Sequence, residues 1–226
     1  MRVICISDTH TKHHKLSDDL KKIGHEKNDI IIHAGDCTNI GKPNDVLNFL
    51  KWFGALPYEN KIFIAGNHDF YFEEHDDISE EFKAMGIIYL MDQMVEVNGL
   101  KIYGSPWQPE FNDWAFNVSR GDAIAEKWEK IPNELDILIT HGPAHGILDD
   151  TINGLRVGCE ELYKKIMVVK PKIHICGHIH YGRGYKPYDN TAFINASSLG
   201  EDYEYQNKPI VLILDDNNDI IDILID

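Results

Sequence analysis

The sequence predicts an α/β protein in which two mixed β-sheets are sandwiched between helices, as one domain over residues 1–226. Three observations predict it. Apolar runs rich in β-branched residues, four to seven residues long, recur from end to end. In the first half they alternate with helical patterns, which argues for parallel strands with helices outside. In the second half they lie closer together and are joined by turn signals, which argues for hairpins added to the same sheets.

The elements follow in chain order. VICIS (3–7) opens the chain as a strand, and LSDDLKKIGHE (16–26) follows as a helix with Ser17 as candidate N-cap. DIIIHAG (29–35) is the next strand, and PNDVLNFLKWFGAL (43–56) a helix that Pro43 opens. KIFIAG (61–66) precedes the acidic block EEHDDISEE (73–81), which reads as a loop and a helix start, and SEEFKAMG (79–86) carries that helix on. MVEV (94–97) and LKIYGS (100–105) form a hairpin turning at Asn98-Gly99. The helical patterns RGDAIAEKWEKI (120–131) and GCEELYKKIMVV (158–169) flank the strand DILITHG (136–142). PKIHICG (171–177) and TAFINAS (191–197) are strands, and PIVLIL (209–214) with DIIDILI (219–225) makes a last hairpin through DDNND.

Composition narrows the class. At 43% hydrophobic the chain can bury a sizeable core. Its net charge, 22 − 37 = −15, disfavours broad binding to nucleic-acid backbones, which needs a basic surface. No apolar stretch approaches the ~20 residues of a membrane span. MRVICISDTH reads as a strand rather than a signal peptide, so a cytoplasmic protein is expected. The four cysteines show no CxxC spacing, and Cys5 and Cys176 sit inside apolar runs, so neither a disulfide scaffold nor a zinc ribbon is expected.

The residues at which the runs stop carry the chemistry. VICIS ends at Asp8-Thr9-His10, DIIIHAG at Asp36, KIFIAG at Asn67-His68-Asp69, DILIT at His141 and PKIHICG at His178-Ile179-His180. Taken singly each is ordinary: a turn or helix cap, a Gly-Asp turn, a polar loop, a strand-end histidine. Taken together, five strands stop at potential metal ligands. In α/β sheets, ligand sites form outside the carboxyl ends of strands. The set mixes carboxylates, imidazoles and an amide oxygen, donors that suit Mn, Fe, Zn, Co or Ni more than calcium.

The motifs D-x-H (8–10), GD (35–36), GNHD (66–69), THG (140–142) and GHIH (177–180), closed by NASS (195–198), resemble the calcineurin-like metallophosphoesterase superfamily. HAGDCTNIG, LPYENKIFIAGNHDF and IYGSPWQPEFNDWAFN are similar to its MPPED-type branch, whose members resemble cyclic-nucleotide phosphodiesterases. The resemblance implies a four-layer α/β/β/α fold and two divalent transition-metal ions, manganese first. Asp8, His10 and His180 would hold one ion, Asn67, His141 and His178 the other, with Asp36 bridging. Some members have glycine where this chain has His178. The retained histidine implies a competent pair of sites. His68 would be the general acid, with Asp69 orienting its imidazole.

The substrate is less constrained. GDCTNIG lacks the arginine with which the protein phosphatases of the superfamily grip a phosphomonoester, which tilts the expectation to diesters. Trp107, Phe111, Asn112, Trp114 and Asn117 are candidates for the site wall or for a packed loop, and Arg183 for a phosphate contact or a solvated arginine. A phosphodiesterase acting on cyclic nucleotides or similar small diesters is the reading adopted. A phosphomonoesterase or nuclease of the same superfamily, or a nucleotide-binding scaffold of low turnover, is the alternative. The expected partner is a small phosphodiester or nucleotide, with no membrane; a homodimer is admitted.

Overall fold

The computed structural model describes residues 1–75 and 78–225, the side chain of Ser79 excepted. Asp76 and Asp77, in the middle of the acidic block expected as a loop, lie outside the described residues. The strands are β1 (Arg2–Ile6), β2 (Ile30–His33), β3 (Asn60–Phe63), β4 (Ile87–Tyr89), β5 (Gln93–Val97), β6 (Leu100–Ser105), β7 (Gln108–Pro109), β8 (Asn117–Val118), β9 (Ile137–Thr140), β10 (Ile173–Cys176), β11 (Gly184–Tyr188), β12 (Thr191–Asn195), β13 (Ile210–Leu214) and β14 (Ile220–Leu224). The helices are α1 (Ser17–Ile23), α2 (Pro43–Gly54), α3 (Phe70–Glu74), α4 (Ser79–Ala84), α5 (Asp122–Trp128) and α6 (Glu160–Val169).

Two six-stranded sheets result, ordered β14-β13-β1-β2-β3-β4 and β11-β12-β10-β9-β6-β5. In the first, β1 to β4 are parallel and the β13–β14 hairpin is added antiparallel. In the second, β6, β9, β10 and β12 are parallel, with antiparallel β5 and β11 at the edges.

The layering follows from side-chain alternation along each strand. Val3, Cys5, Ile30, Ile32 and Ile62 of the first sheet share one core with Ile102, Ile137, Ile139, Ile173 and Ile175 of the second. The alternate residues Ile4, Ile6, Ile31 and Phe63 pack with Leu20, Phe49 and Phe53 on the outer face of the first sheet. Tyr103, Leu138 and Phe193 do the same with Ile124, Trp128, Leu162 and Ile166 outside the second. Strands buried on both faces read as continuous apolar runs, which is the pattern the sequence shows.

Local departures have local causes. Ser17 does not cap α1; a 3₁₀ turn, His13–Leu16, leads into the helix, and the Ser17 hydroxyl oxygen accepts from Trp52 Nε1 at 3.1 Å. Pro43 is in the first turn of α2, as expected. The strands β4 and β11 and the five-residue α3 were not expected from the sequence. β4 has three residues, and β11, GYKPY, is an exposed edge where proline is tolerated. Among the described residues no helix is long and apolar enough to cross a membrane.

Candidate metal centre

The parallel strands of both sheets end at one edge of the sandwich, where the sheets are stitched together. Ser7, after β1, bridges Ser197, after β12, and Ser198 N–H donates to the Ser7 carbonyl at 2.9 Å. The Nδ1 of His141, beyond β9, lies 2.9 Å from the Ala34 carbonyl beyond β2. Residues far apart in sequence therefore meet across the seam.

Three overlapping groups of donor atoms form there. Asp8, His10 and His180 offer ligand atoms within 4.8 Å of one another, as do Asp36, His141 and His178, and also His10, Asp36 and His68. Asp36 Oδ2 is 3.7 Å from His10 Nε2 and 3.2 Å from His141 Nε2, so its carboxylate sits between the first two groups. Asn67 Oδ1 is 2.9 Å from His141 Nε2. The structure thus gathers Asp8, His10, Asp36, Asn67, His141, His178 and His180 in one place, with His68 beside them.

The imidazoles are aimed by the backbone. His10 Nδ1 bonds the Thr38 carbonyl (3.1 Å), His141 Nδ1 that of Ala34 (2.9 Å) and His180 Nδ1 that of Gly200 (2.9 Å). A carbonyl can only accept, so each Nδ1 carries the proton and each Nε2 is turned to the centre. His10 Nε2 is buried without a hydrogen-bond partner in the protein. A buried lone pair of this kind asks for a ligand, and a divalent cation fits it.

Electrostatics point the same way. Burial alone would raise the Asp8 and Asp36 carboxyls, but His180 beside Asp8 and His141 beside Asp36 hold them below the usual carboxylate range. Burial lowers His10 to about 4 and His178 to about 3, which keeps their lone pairs available. Burial also works against charge on His141 and His180, yet Asp36 and Asp8 override it and lift both to about 9. Carboxylates that draw protons onto buried imidazoles make a site that attracts positive charge.

Close approach is built into the loops. A Cβ at Gly66 would meet the Asp36 carboxylate, the Asp36 backbone nitrogen at 2.5 Å and His141 Cε1 at 2.6 Å. A Cβ at Gly177 would run into the Asp8 carboxylate and the Ser7 side chain. Asp8, His10, Asp36 and His178 all have left-handed backbone, with φ of 51°, 39°, 57° and 68°, an uncommon state for residues with a Cβ.

Asp69 does not reach the imidazole of His68. Its carboxylate accepts from Gly66 N (3.0 Å), Cys37 N (3.2 Å), Thr38 N (2.9 Å) and Thr38 Oγ1 (2.9 Å), tying the loop after β2 to the loop after β3. With the Cys37 thiol 3.4 Å from Oδ1 as a fifth, weaker donor, both oxygens are claimed and none is left for the ring. The carbonyl of Asn39 orients His68 instead, 2.7 Å from Nδ1, and the ring lies 4.0 Å from that of Trp114, centroid to centroid.

The donor groups open into a cleft of about 330 Å³ lined by Phe111, Asn112, Trp114, Thr151, Glu201 and Tyr203 as well as His68, His178 and His180. Trp107 is not part of that lining. Its Nε1 donates to the Asp92 carboxylate at 3.1 Å, and Lys127 Nζ lies 3.5 Å from its ring centroid, so it anchors the loop from behind. Asn117 also serves the loop, donating from Nδ2 to the carbonyls of Phe111 and Asn112. Arg183 lies beyond His180 in an adjoining open depression that shares His180 and Glu201 with the cleft, and it donates to the Lys208 carbonyl at 2.9 Å. His145 stands 3.6 Å from Asp149, outside the cleft lining.

Tyr203 and Glu201 had no motif to announce them; Ser197 belongs to NASS (195–198), where the sequence did not show that its hydroxyl donates to Asp8 Oδ2, at 2.9 Å. The signal for Ser197 was its position at the end of the run TAFINAS.

A family model for calcineurin-like phosphoesterases matches residues 1–182. The chain belongs to that family. It is 41% identical to human metallophosphoesterase domain-containing protein 1 over 94% of this chain and 71% of the relative. One solved structure superposes at TM-score 0.71 and 17% identity over 99% of this chain and 98% of its own. An archaeal phosphodiesterase superposes at TM-score 0.54 and 17% identity over 100% and 99%. At such identities the two structures speak for the fold. Family and donor groups together point to divalent metal ions at the seam.

Proposed function

We propose that this phosphoesterase hydrolyses small phosphodiesters, cyclic nucleotides among them, with two divalent ions held at the seam between its sheets. The position of the Asp36 carboxylate, within 3.7 Å of His10 Nε2 and 3.2 Å of His141 Nε2, carries the two-ion reading. Asp8, His10 and His180 would hold one ion, Asn67, His141 and His178 the other, and Asp36 both. Carboxylate and amide oxygens mixed with imidazole nitrogens make manganese the first choice, with Fe, Zn, Co or Ni fitting the same donors.

When bound, such ions supply Lewis-acid charge for the phosphoryl oxygens and a water acidic enough to attack near neutral pH. The protein's own groups do the rest. The carbonyl of Asn39 fixes the proton of His68 on Nδ1, leaving Nε2 as the nitrogen that exchanges a proton with the leaving oxygen. Trp114 against the His68 ring limits water around that transfer. Asp69 has a positioning role, fixing the distance between the loops that carry Asp36 and Asn67.

The preference for diesters rests on charge. Among the described residues no arginine or lysine lines the cleft, while Glu201 does. A monoester dianion would meet an uncompensated carboxylate there, whereas a diester brings one charge fewer. Four buried thiols without a disulfide agree with a cytoplasmic setting.

Turnover of bis(4-nitrophenyl) phosphate and of 4-nitrophenyl phosphate, each with and without added Mn²⁺, tests the reading. Metal-dependent turnover with the diester ahead is expected. A faster monoester would overturn the substrate class, and equal rates in excess chelator would overturn the metal mechanism.

A further inference from the structure

Beside the cleft lies a second cavity of about 180 Å³, lined by Pro109, Phe111, Pro143, Thr151, Val157 and Ile179 among others. The two spaces are continuous. Phe111, Thr151, Ile179 and His178 line both, so the cavity opens next to one candidate metal ligand. The loops that flank it leave apolar side chains in water: Phe111 is 61% exposed, and Ile152 and Leu155, between Thr151 and Val157, are 61% and 64% exposed. Apolar groups held at the mouth of a polar cleft mark a surface that a ligand covers.

The lining also says what the ligand is not. Among the described residues Arg120 is the one cationic side chain on the wall, and its Nη1 and Nη2 donate to Gly158 O (2.9 Å), Val157 O (2.7 Å) and the Glu160 carboxylate (2.5 Å). Glu160 offsets its charge and three of its donors are drawn to the wall, which makes this a poor seat for a second phosphate. A phenyl face and two prolines instead offer flat apolar surface. Both walls are set in advance. Asn117 holds the Phe111 loop, and Thr151 N–H donates to Leu155 O at 2.9 Å and Leu155 N–H to Thr151 Oγ1 at 3.2 Å within the other.

We propose that this cavity receives an uncharged aromatic ester substituent while the phosphoryl group lies in the cleft, so that the substrates are unsymmetrical diesters with one flat hydrophobic arm. The proposal rests on the phosphoesterase reading. Its specificity residues are Phe111 and Val157, neither of which belongs to the metal-binding groups.

The test compares benzylphosphonate with methylphosphonate, each as its methyl monoester and so a monoanion like a diester, by calorimetry on the Mn²⁺-loaded protein. The two share one head group and differ only in the arm. The wild type is expected to bind benzylphosphonate at least about tenfold tighter, the ratio that covering a Phe-sized group gives. Val157→Trp fills the cavity and Phe111→Ala removes one wall. Each should abolish most of that ratio and leave methylphosphonate unchanged. Phe111 is on the surface, so that variant folds even if the larger side chain at position 157 does not. A wild-type ratio near one, or a ratio untouched in Phe111→Ala, overturns the cavity assignment while leaving the metal centre standing. Failure of both phosphonates to bind removes the metal-centre reading, and the proposal falls with it.

Discussion

Asp69 gives the sharpest separation between two roles for one carboxylate. In Asp69→Asn one oxygen becomes an NH₂ group. Whichever oxygen is replaced, at least two donors lose their acceptor: Gly66 N and Cys37 N on one side, or Thr38 N, Thr38 Oγ1 and the weaker Cys37 Sγ on the other. The new NH₂ also points at those donors. Hydrogen bonds to a charged group are worth about 1.5–3 kcal/mol each, so the loss comes to about 3–6 kcal/mol. A domain holds a total of about 5–15 kcal/mol, so the variant should sit near the edge of stability. Urea unfolding of chelator-treated wild type and variant at neutral pH measures this directly. Because the bonds from Cys37 and Thr38 join the loop of Asp36 to that of Asn67, Mn²⁺ affinity should fall in parallel. A carboxylate that merely oriented His68 would give the opposite pattern, lower kcat with stability nearly intact. A destabilisation below about 1 kcal/mol with unchanged metal affinity refutes the positioning role.

Further expectations follow from single contacts. His68→Ala should retain both metal ions by elemental analysis yet lower kcat by about 10²–10⁴-fold, with a smaller loss for diesters of acidic leaving groups. Ser197→Ala removes the hydroxyl that donates to Asp8 at 2.9 Å, so the affinity for one ion should drop by roughly tenfold or more. In a Mn²⁺ titration an unchanged first binding constant would count against this. Burial holds His174 neutral, at about 3, whereas in the unfolded chain it titrates near 6.5. As pH falls from 7 to 5 the unfolded state takes up a proton that the fold refuses, so stability drops by about 2 kcal/mol from this group alone. His174→Gln, which cannot titrate, should lose about that much less than the wild type over the same interval when both are unfolded in urea.

How much of this could be read from the chain depends on the range of the interactions. Strands such as β9, buried on both faces, announce themselves as mainly apolar runs because a polar side chain there needs a buried partner, as His174 finds in Thr140 at 2.8 Å. β4 escaped because its three residues follow directly on α4 and lack the length to show a period. β11 escaped because Gly184 and Pro187 read as breakers, and only pairing with β12 makes them a strand. The candidate ligands were legible for a related reason, since each stands where an apolar run stops. The directions of their neighbours were not. Trp107 lies in the same loop as Asn112, yet Asp92 and Lys127 draw it to the back of the wall. Arg183 follows the last ligand by three residues and is turned away to the carbonyl of Lys208. Asp69 is adjacent to His68 and bonds residues some thirty positions earlier, at Cys37 and Thr38.

The left-handed residues show why such directions cannot be local. Asp and His take positive φ more readily than most residues with a Cβ, yet Asp8, His10, Asp36 and His178 still cost on the order of 1 kcal/mol each in that state. They persist because distant groups hold them. Asp8 N–H donates to Gly35 O at 2.9 Å and His10 N–H to Asp36 O at 3.0 Å, which fixes the first loop against the second. Asp36 Oδ1 accepts from His68 N–H at 2.8 Å, which fixes the second against the third. Asp8 then accepts the N–H of His178 at 3.0 Å, across 170 residues and from one sheet to the other. The first three loops therefore hold one another within the first sheet, and the His178 loop is satisfied only when both sheets are docked. The ligand set is a product of sheet closure rather than of any single strand end. Whatever loosens the packing of Val3, Ile32, Ile139 and Ile175 between the sheets should then weaken metal binding before it unfolds the chain.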